Sequence, residues 1–222
     1  MDKIYKIVVA TPLSKENFEL KSKIFMSLEK LKNNFDCEII YNNKTGLSKL
    51  YNSFLKEENT GKKIIFVHDD VLIEDLFLLE KLEDAFDSYD IIGLAGAKSC
   101  DLNSQIPAWH LMSKREDFVG EVSHSDMKKF WTNSYGITPS RSLIIDGLFI
   151  AVNVKKLLET NTKFDEDFTF HHYDITFCLN ANQNKLKIGV YPIKVTHYGL
   201  GDSMMSQEWR ESALKFQKKY KK

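Results

Sequence analysis

Short apolar runs alternate with amphipathic segments over the first 95 residues of the chain. The apolar runs occupy residues 4–10, 37–41, 64–67 and 91–95, and between them apolar residues recur at spacings of three and four, as in helices. Strands and helices in alternation form a parallel sheet with right-handed crossovers and helices on both faces. The pattern therefore predicts an α/β fold with a mostly parallel, Rossmann-like sheet.

The second half of the chain lacks this alternation of predicted strands and helices. Residues 97–142 mix aromatic and polar side chains without a sustained period, which indicates a long irregular segment. An apolar run over residues 143–152 restores order, and a helical pattern starts again near Asp202. At 222 residues the chain suits a single domain, for which we expect halves at 1–96 and 97–202 and a C-terminal helix at 203–222.

Composition excludes several classes of protein. Lysine plus arginine and aspartate plus glutamate number 31 each, so no overall field favours nucleic acid as a partner. The three cysteines, Cys37, Cys100 and Cys178, have no CxxC spacing, which argues against a disulfide framework or a zinc knot. A reducing cytoplasm fits this usage, and no stretch has the length of a signal peptide or a membrane span.

Two neighbouring carboxylates follow the third apolar run, where His68, Asp69 and Asp70 end a predicted buried strand. In open α/β sheets ligands collect beyond the carboxyl ends of strands. Because adjacent carboxylates repel, such a pair is stabilised by a cation. Asp70 with the imidazole of His197 would suit Mn²⁺, or Mg²⁺ with more waters. A polar strand exit and a scaffolding histidine are the alternatives.

Other polar residues fall at predicted element ends on the same side of the sheet. Asp174 is a candidate general base, although capping of a helix would also explain it. His172, or its neighbour His171, is a candidate for the same work or for positioning an acceptor. Asp146 and Gly147 form a turn or bulge that would let a ligand approach the backbone closely.

Aromatic residues in the irregular segment have two interpretations. Trp109 and Trp131 would serve either as platforms for a sugar or as ordinary core and surface aromatics. We include Trp109 among the candidate binding residues.

Several motifs occur together and in order along the chain. They are VHDDV (67–71), GLAG (93–96), DGLFIA (146–151), FDEDFTFHHYDITFCLNA (164–181), LKIGV (186–190) and a late His197 with Gly199. This series resembles glycosyltransferase family 2 with the GT-A fold, and within it the subgroup named after the streptomycin biosynthesis protein StrF. The resemblance covers roughly residues 4 to 200.

The resemblance implies a nucleotide-sugar donor, with Asn42 and Asn43 near its base or ribose. It implies that residues 68–70 stand where the family has its DxD motif, with the last carboxylate reaching the cation. It also implies that Asp174 is the catalytic base and that His197 is a further metal ligand. The sequence departs from the family at His68, which replaces an aspartate, and at Tyr173, which replaces a glutamate.

The expected function is metal-dependent transfer of a sugar from a nucleoside diphosphate sugar, a UDP-sugar above all, to a hydroxyl of a saccharide or lipid-linked acceptor, with inversion. The alternative is a GT-A module that binds a nucleotide sugar or glycan without transferring it, which the residues at 68 and 173 favour. A nucleotidyltransferase would need a glycine-rich loop after the first strand, and residues 11–14 read TPLS.

The C-terminal residues 218–222 read KKYKK. They are either a solvated tail or a contact with anionic lipid. The expected location is the cytoplasm, with peripheral contact at the inner face of the membrane as the second possibility. The sequence carries no signal for subunit pairing.

Overall fold

The fold is known from a computed structural model that describes residues 3–199 and 206–221. The strands are β1 (Tyr5–Ala10), β2 (Asp36–Ile40), β3 (Lys63–His68), β4 (Val71–Ile73), β5 (Ile91–Gly93), β6 (Ala95–Ala97), β7 (Phe118–Ser125), β8 (Phe130–Gly136), β9 (Ser140–Arg141), β10 (Ile144–Ile145), β11 (Phe149–Asn153), β12 (Ile188–Val190) and β13 (Val195–His197). The helices are α1 (Lys15–Lys21), α2 (Lys23–Leu31), α3 (Leu47–Asn52), α4 (Leu78–Ser88), α5 (Val154–Glu159), α6 (Tyr173–Gln183) and α7 (Gln207–Tyr220).

The main sheet has seven strands in the order β2-β1-β3-β11-β5-β12-β9. β1 pairs parallel with β2 and β3, and β12 pairs parallel with β5. β11 lies antiparallel between β3 and β5, which gives these two strands the same direction. The main direction is therefore parallel, and the predicted α/β fold is confirmed.

Burial explains why β3 and β11 take the centre of this sheet. Ile64, Ile65, Phe66 and Val67 are fully buried, and so are residues 149–152 on the neighbouring strand. Strands that are covered on both faces read as continuous apolar runs. The strand prediction for residues 64–67 rested on that signal and is confirmed.

A second sheet has the strand order β10-β6-β7-β13-β4, and β8 pairs with the outer side of β7. The prediction of an irregular segment over residues 97–142 is wrong in this part, because β7 and β8 form an antiparallel hairpin there. The β8 residues read FWTNSYG and are mostly exposed, and the aromatic Phe130 and Trp131 are adjacent. The strand therefore lacks the apolar alternation that would reveal it in the sequence.

The segment between β1 and β2, where the sequence has apolar residues at helical spacing, forms two helices rather than one. They meet at Ser22, whose hydroxyl donates to the carbonyl of Asp69. Leu20, near the end of α1, is 83% exposed. The break turns α2 so that Ile24 and Leu28 reach the core beneath β4.

The C-terminal helix α7 packs against the segment that leads into α6. Lys219 forms ion pairs with Asp165 and Asp167, and the Tyr220 hydroxyl donates to Asp165. The predicted start of this helix near Asp202 lies outside the described residues. Within residues 3–199 and 206–221, no helix is both long and apolar enough to cross a membrane.

Candidate active site

A cavity of about 440 Å³ opens where β3 and β13 end. It is called the central cavity below. Nine of the candidate residues predicted from the sequence line it: His68, Asp70, Trp109, Asp146, Gly147, His171, His172, Asp174 and His197. The fold thus brings together candidates that are far apart in the chain, from residue 68 to residue 197.

Three of these residues form a group that could hold a metal ion. His68, Asp70 and His197 each offer a ligand atom, and these atoms lie within 4.8 Å of one another. The Asp70 Oδ2 atom is 3.2 Å from His197 Nε2. Asp70 Oδ1 is buried and has no hydrogen-bond partner among the described residues. A buried carboxylate oxygen without a donor, beside two imidazoles, fits a divalent cation.

Asp70 and His197 also stabilise each other's charge. Burial alone would raise the pKa of Asp70, but the hydrogen bond and charge of His197 outweigh it and hold the pKa below its usual value. Burial alone would lower the pKa of His197, and Asp70 reverses this, so the pKa of His197 is raised. The two directions agree, as expected for an ion pair between two half-buried groups.

The hydroxyl of Tyr173 orients the third member of the group. It donates to the Gly147 carbonyl at 2.7 Å and lies 2.9 Å from His68 Nε2. Since the hydroxyl proton is used, we assign the proton of the neutral imidazole to Nε2, which leaves the Nδ1 lone pair for a ligand. Burial lowers the pKa of His68 and so favours the neutral form.

Asp146 has both carboxylate oxygens engaged. The indole N–H of Trp109 donates to Oδ2 at 2.9 Å, and the backbone N–H of Leu148 donates to Oδ1 at 3.0 Å. The following Gly147 packs against Tyr173, since a Cβ at this position would lie 2.5 Å from the Tyr173 hydroxyl. Only glycine leaves room for that hydroxyl to hold both His68 and the backbone.

Asp174 lies in the first turn of α6, where the residue in the N-cap position is His172. The Asp174 Oδ1 atom accepts from the N–H of the next residue, Ile175, at 2.9 Å. Burial, and then the charge of Asp146, raise the pKa of Asp174 to about 7. Asp174 is not the N-cap residue, although it does accept from a free N–H group of the first turn. Its raised pKa also suits proton transfer near neutrality.

His172 is held by the C-terminal helix. Its Nδ1 lies 2.7 Å from the hydroxyl of Ser212, which donates its own proton to the carbonyl of His171. Nδ1 must then carry the imidazole proton, and Nε2 is buried without a partner among the described residues. Burial lowers the pKa of His172 to about 4, so the ring is neutral at pH 7.

A second cavity of about 550 Å³ lies on the β1 side of the central cavity and shares His68, Asp70 and Phe170 with it. Asn43 and Asp69 line this second cavity. The side chain of Asp69 accepts a hydrogen bond from the Thr11 hydroxyl, and burial raises its pKa.

The other asparagine of the pair lies apart from both cavities. Asn42 is exposed, has a left-handed backbone with φ of 50°, and is not among the residues that line either cavity.

Sequence reasoning missed three contributors to this arrangement. They are Tyr173, Thr11, and Phe170, whose ring stacks on His68 at 6.2 Å between centroids. The sequence held a signal only for Tyr173, as the residue that departs from the family pattern. Thr11 and Phe170 act across the fold, at distances in the sequence that no local pattern encodes.

Comparison with known proteins gives the following similarities. Residues 13–222 match the model of the Glycosyltransferase like family. Curated proteins yielded no match. GalNAc-T7, crystallised with UDP, GalNAc and Mn²⁺, is similar with a TM-score of 0.54 at 12% identity, over 96% of this chain and 47% of that chain. TarS 1-349 of S. aureus, crystallised in complex with UDP, has a TM-score of 0.49 at 15% identity, over 97% and 64%. A197 from STIV has a TM-score of 0.49 at 11% identity, over 88% and 85%.

This chain spans about half the length of the GalNAc-T7 chain and under two thirds of the TarS chain. At 12% identity the likeness to GalNAc-T7 is one of fold alone. The family match, in contrast, covers nearly the whole chain. The chain therefore belongs to the Glycosyltransferase like family and is a glycosyltransferase with the GT-A fold.

Proposed function

We propose that the protein transfers a sugar from a nucleoside diphosphate sugar, with UDP-sugars as the expected donors, to a hydroxyl of a saccharide or lipid-linked acceptor. One observation carries the proposal. The cluster of His68, Asp70 and His197 and the carboxylate of Asp174 line the same cavity. Residues 1–96 would bind the donor, residues 97–202 the acceptor, and the C-terminal helix would support the acceptor side.

A divalent cation is part of this proposal. His68, Asp70 and His197 would hold Mn²⁺ or Mg²⁺, and the unpartnered Oδ1 of Asp70 is the observation that fits it best. When bound, such a cation supplies positive charge that stabilises a leaving diphosphate. Tyr173 would keep the His68 ring correctly turned by accepting its Nε2–H, while burial keeps the ring neutral.

The donor side is assigned by position along the fold. Asp69 and Asn43 line the cavity on the β1 side, next to His68 and Asp70. We assign the nucleotide to this cavity, with Asn42 at its outer margin. The Thr11 hydroxyl fixes Asp69 for contact with the ribose or base.

The acceptor side holds the candidate base. Asp174 would take the proton from the attacking hydroxyl, since its pKa of about 7 leaves much of it ionised at neutral pH while it remains basic enough to accept. Direct attack gives an inverted product. His172, neutral and held by Ser212, would position the acceptor beside Asp174, and Trp109, Asp146 and Gly147 would shape the wall opposite.

A protein of similar fold suggests the first probe, since GalNAc-T7 was crystallised with UDP, GalNAc and Mn²⁺. The test is release of UDP from a panel of UDP-sugars with Mn²⁺, in the wild type and in the Asp70→Ala and Asp174→Asn variants. We expect release by the wild type and its loss in both variants. Release that survives intact in both would overturn the assignment.

A second candidate function is a module that binds a nucleotide sugar or glycan without transfer. The observation in its favour is Tyr173, a neutral side chain in the position before the proposed base, with its hydroxyl already engaged by Gly147 and His68. A melting temperature that rises with UDP plus Mn²⁺, together with no turnover across donor and acceptor panels, would establish this function.

We also propose membership of the StrF-type subgroup and action in the cytoplasm. Three free cysteines, spaced without pairs, agree with a reducing compartment. We also propose peripheral contact with the inner face of a membrane through the basic end, of which Lys219 is paired with Asp165 and Asp167. Binding to anionic vesicles that is lost on removing residues 218–222 would support that contact.

A further inference from the structure

The β7–β8 hairpin turns one face toward a third cavity of about 340 Å³, called the hairpin cavity below. Side chains alternate between the two faces of a strand. Trp131, Asn133 and Tyr135 therefore project from β8 on one side and line the cavity, and Val122 and His124 do so from β7. The register places His124 opposite Trp131 and Val122 opposite Asn133. One face of the hairpin thus forms a wall of the cavity.

The hairpin cavity is continuous with the central cavity. Five residues line both: Trp109, His110, Asp146, His197 and Gly199. A molecule in the hairpin cavity would therefore have one end at the metal-ligand cluster and near Asp174. This is the position that an acceptor needs in the proposed function, on which this inference rests.

Aromatic rings form much of this wall. The ring of Trp109 meets that of Tyr135 edge to face at 5.1 Å between centroids. His124 stacks on Trp131 at 5.5 Å with 15° between the ring planes, and Trp131 remains 44% exposed. Sugar rings have apolar C–H faces and polar edges, and exposed aromatic faces with few placed polar groups match that chemistry.

Polar groups lie at the edges of these rings. The Asn133 amide N–H₂ donates to the Tyr135 hydroxyl at 3.3 Å, so its carbonyl oxygen remains an acceptor. The Nε2 atom of His124 is buried and has no hydrogen-bond partner among the described residues. Such groups would orient a hydroxylated ligand, since a buried polar atom without a partner is unfavourable.

Charge narrows the class of ligand. Among the described residues that line the hairpin cavity there is no lysine or arginine, and the carboxylate is Asp146. Burial lowers the pKa of His110, which leaves that ring neutral at pH 7. A uronic acid, sialic acid or phosphate would meet no lysine or arginine among these lining residues and would be repelled by Asp146.

We propose that the hairpin cavity binds the acceptor and that the acceptor is a neutral saccharide, with Trp131 and Asn133 determining its specificity. The exposed face of Trp131 receives the sugar ring, and Asn133 bonds to its hydroxyl edge. The hydroxyl to be glycosylated then faces the central cavity.

Binding to an array of immobilised neutral and acidic glycans tests this without turnover. The full chain is applied as wild type and as the Trp131→Ala, Asn133→Ala and Ser134→Ala variants. Ser134 is exposed on the opposite face of β8 and serves as the matched control. We expect the wild type and Ser134→Ala to bind neutral glycans, and the other two variants to lose about tenfold or more in affinity, with unchanged melting temperatures.

Three results would overturn the proposal. They are binding of acidic glycans only, binding of neutral glycans that is retained by Trp131→Ala, and no binding of any glycan. Release of UDP from UDP-sugars is measured alongside, with and without the neutral glycans as acceptors. Neutral glycans bound without any UDP release would defeat the proposed transfer and leave the hairpin cavity as a glycan site. UDP release without glycan binding would defeat the hairpin assignment alone.

Discussion

His197 Nε2 lies 3.2 Å from Asp70 Oδ2, which joins the end of β13 to the turn after β3. These residues are distant in the chain, and the second sheet brings them together through the antiparallel pairing of β13 with β4. The turn after β3 would otherwise hold a half-buried carboxylate, with a buried Oδ1 atom, that has neither a positive partner nor a full set of hydrogen bonds. The Asp70–His197 pair therefore links the two sheets at the place where we propose that the diphosphate binds.

The first prediction concerns the pH dependence of transfer. Because burial and Asp146 raise the pKa of Asp174 to about 7, the base is ionised only toward and above neutral pH. We expect kcat/KM to rise with pH through about 7 in the wild type, and to fall by about 10²- to 10⁴-fold in Asp174→Asn. A pH–rate profile measures both. An unchanged rate in Asp174→Asn, with UDP still bound, would show that another group accepts the proton.

The same carboxylate should affect stability. Its folded pKa of about 7 lies above the unfolded value of about 3.9. Between these values the folded state holds a proton that the unfolded state has lost, so the contribution of Asp174 to stability falls as pH rises from about 4 to about 7. Asp174→Asn should therefore be more stable than the wild type at pH 8, by at most about 4 kcal/mol, with the difference shrinking toward pH 4. Thermal unfolding at both pH values measures this, and a variant less stable at pH 8 would contradict it.

Tyr173 provides a third prediction. Tyr173→Phe removes the hydroxyl that lies 2.9 Å from His68 Nε2 and donates to the Gly147 carbonyl. Two buried groups lose a partner, so we expect destabilisation of about 1–3 kcal/mol and a roughly tenfold or greater loss of Mn²⁺ affinity. Chemical denaturation and metal titration measure the two effects. Tyr135→Phe, which alters a hydroxyl in the hairpin cavity, should leave Mn²⁺ affinity unchanged.

The fourth prediction concerns Ser212. Ser212→Ala removes the hydroxyl that partners His172 Nδ1 and donates to the His171 carbonyl. We expect a loss of about 1–2 kcal/mol in the free energy of unfolding, with a higher KM for the acceptor and an unchanged KM for the donor. Glu211→Ala, at a neighbouring exposed position on α7, is the control. Equal effects from both variants would argue that Ser212 has no specific role.

Physical reasons separate what the sequence predicts from what it does not. The sequence predicts β3 and its polar end, because a fully buried strand appears as an apolar run and its end as an abrupt change to charged residues. The sequence does not reveal the β7–β8 hairpin, because β8 is mostly exposed and its apolar residues do not alternate with polar ones. The antiparallel insertion of β11 between β3 and β5 was also hidden, since strand order is a tertiary property.

The candidate site likewise contains residues that the sequence predicts and residues that it does not. The cluster of His68, Asp70 and His197 joins predicted residues, and the fold places them together. Tyr173 was seen only as a departure from a motif, and its hydrogen bonds depend on Gly147 lying against it. The sequence locates side chains at element ends, whereas their partners across the cavity follow from packing.

Calorimetric titration of the protein with Mn²⁺ in the presence of UDP tests the central claim most directly. The claim is that His68, Asp70 and His197 hold a divalent cation against the diphosphate. The wild type should bind one Mn²⁺ per chain, and Asp70→Ala and His197→Ala should each weaken that binding by about 10- to 100-fold, while Asp126→Ala, at an exposed turn of the hairpin, binds as the wild type does. Equal Mn²⁺ affinity in the wild type, Asp70→Ala and His197→Ala would contradict it.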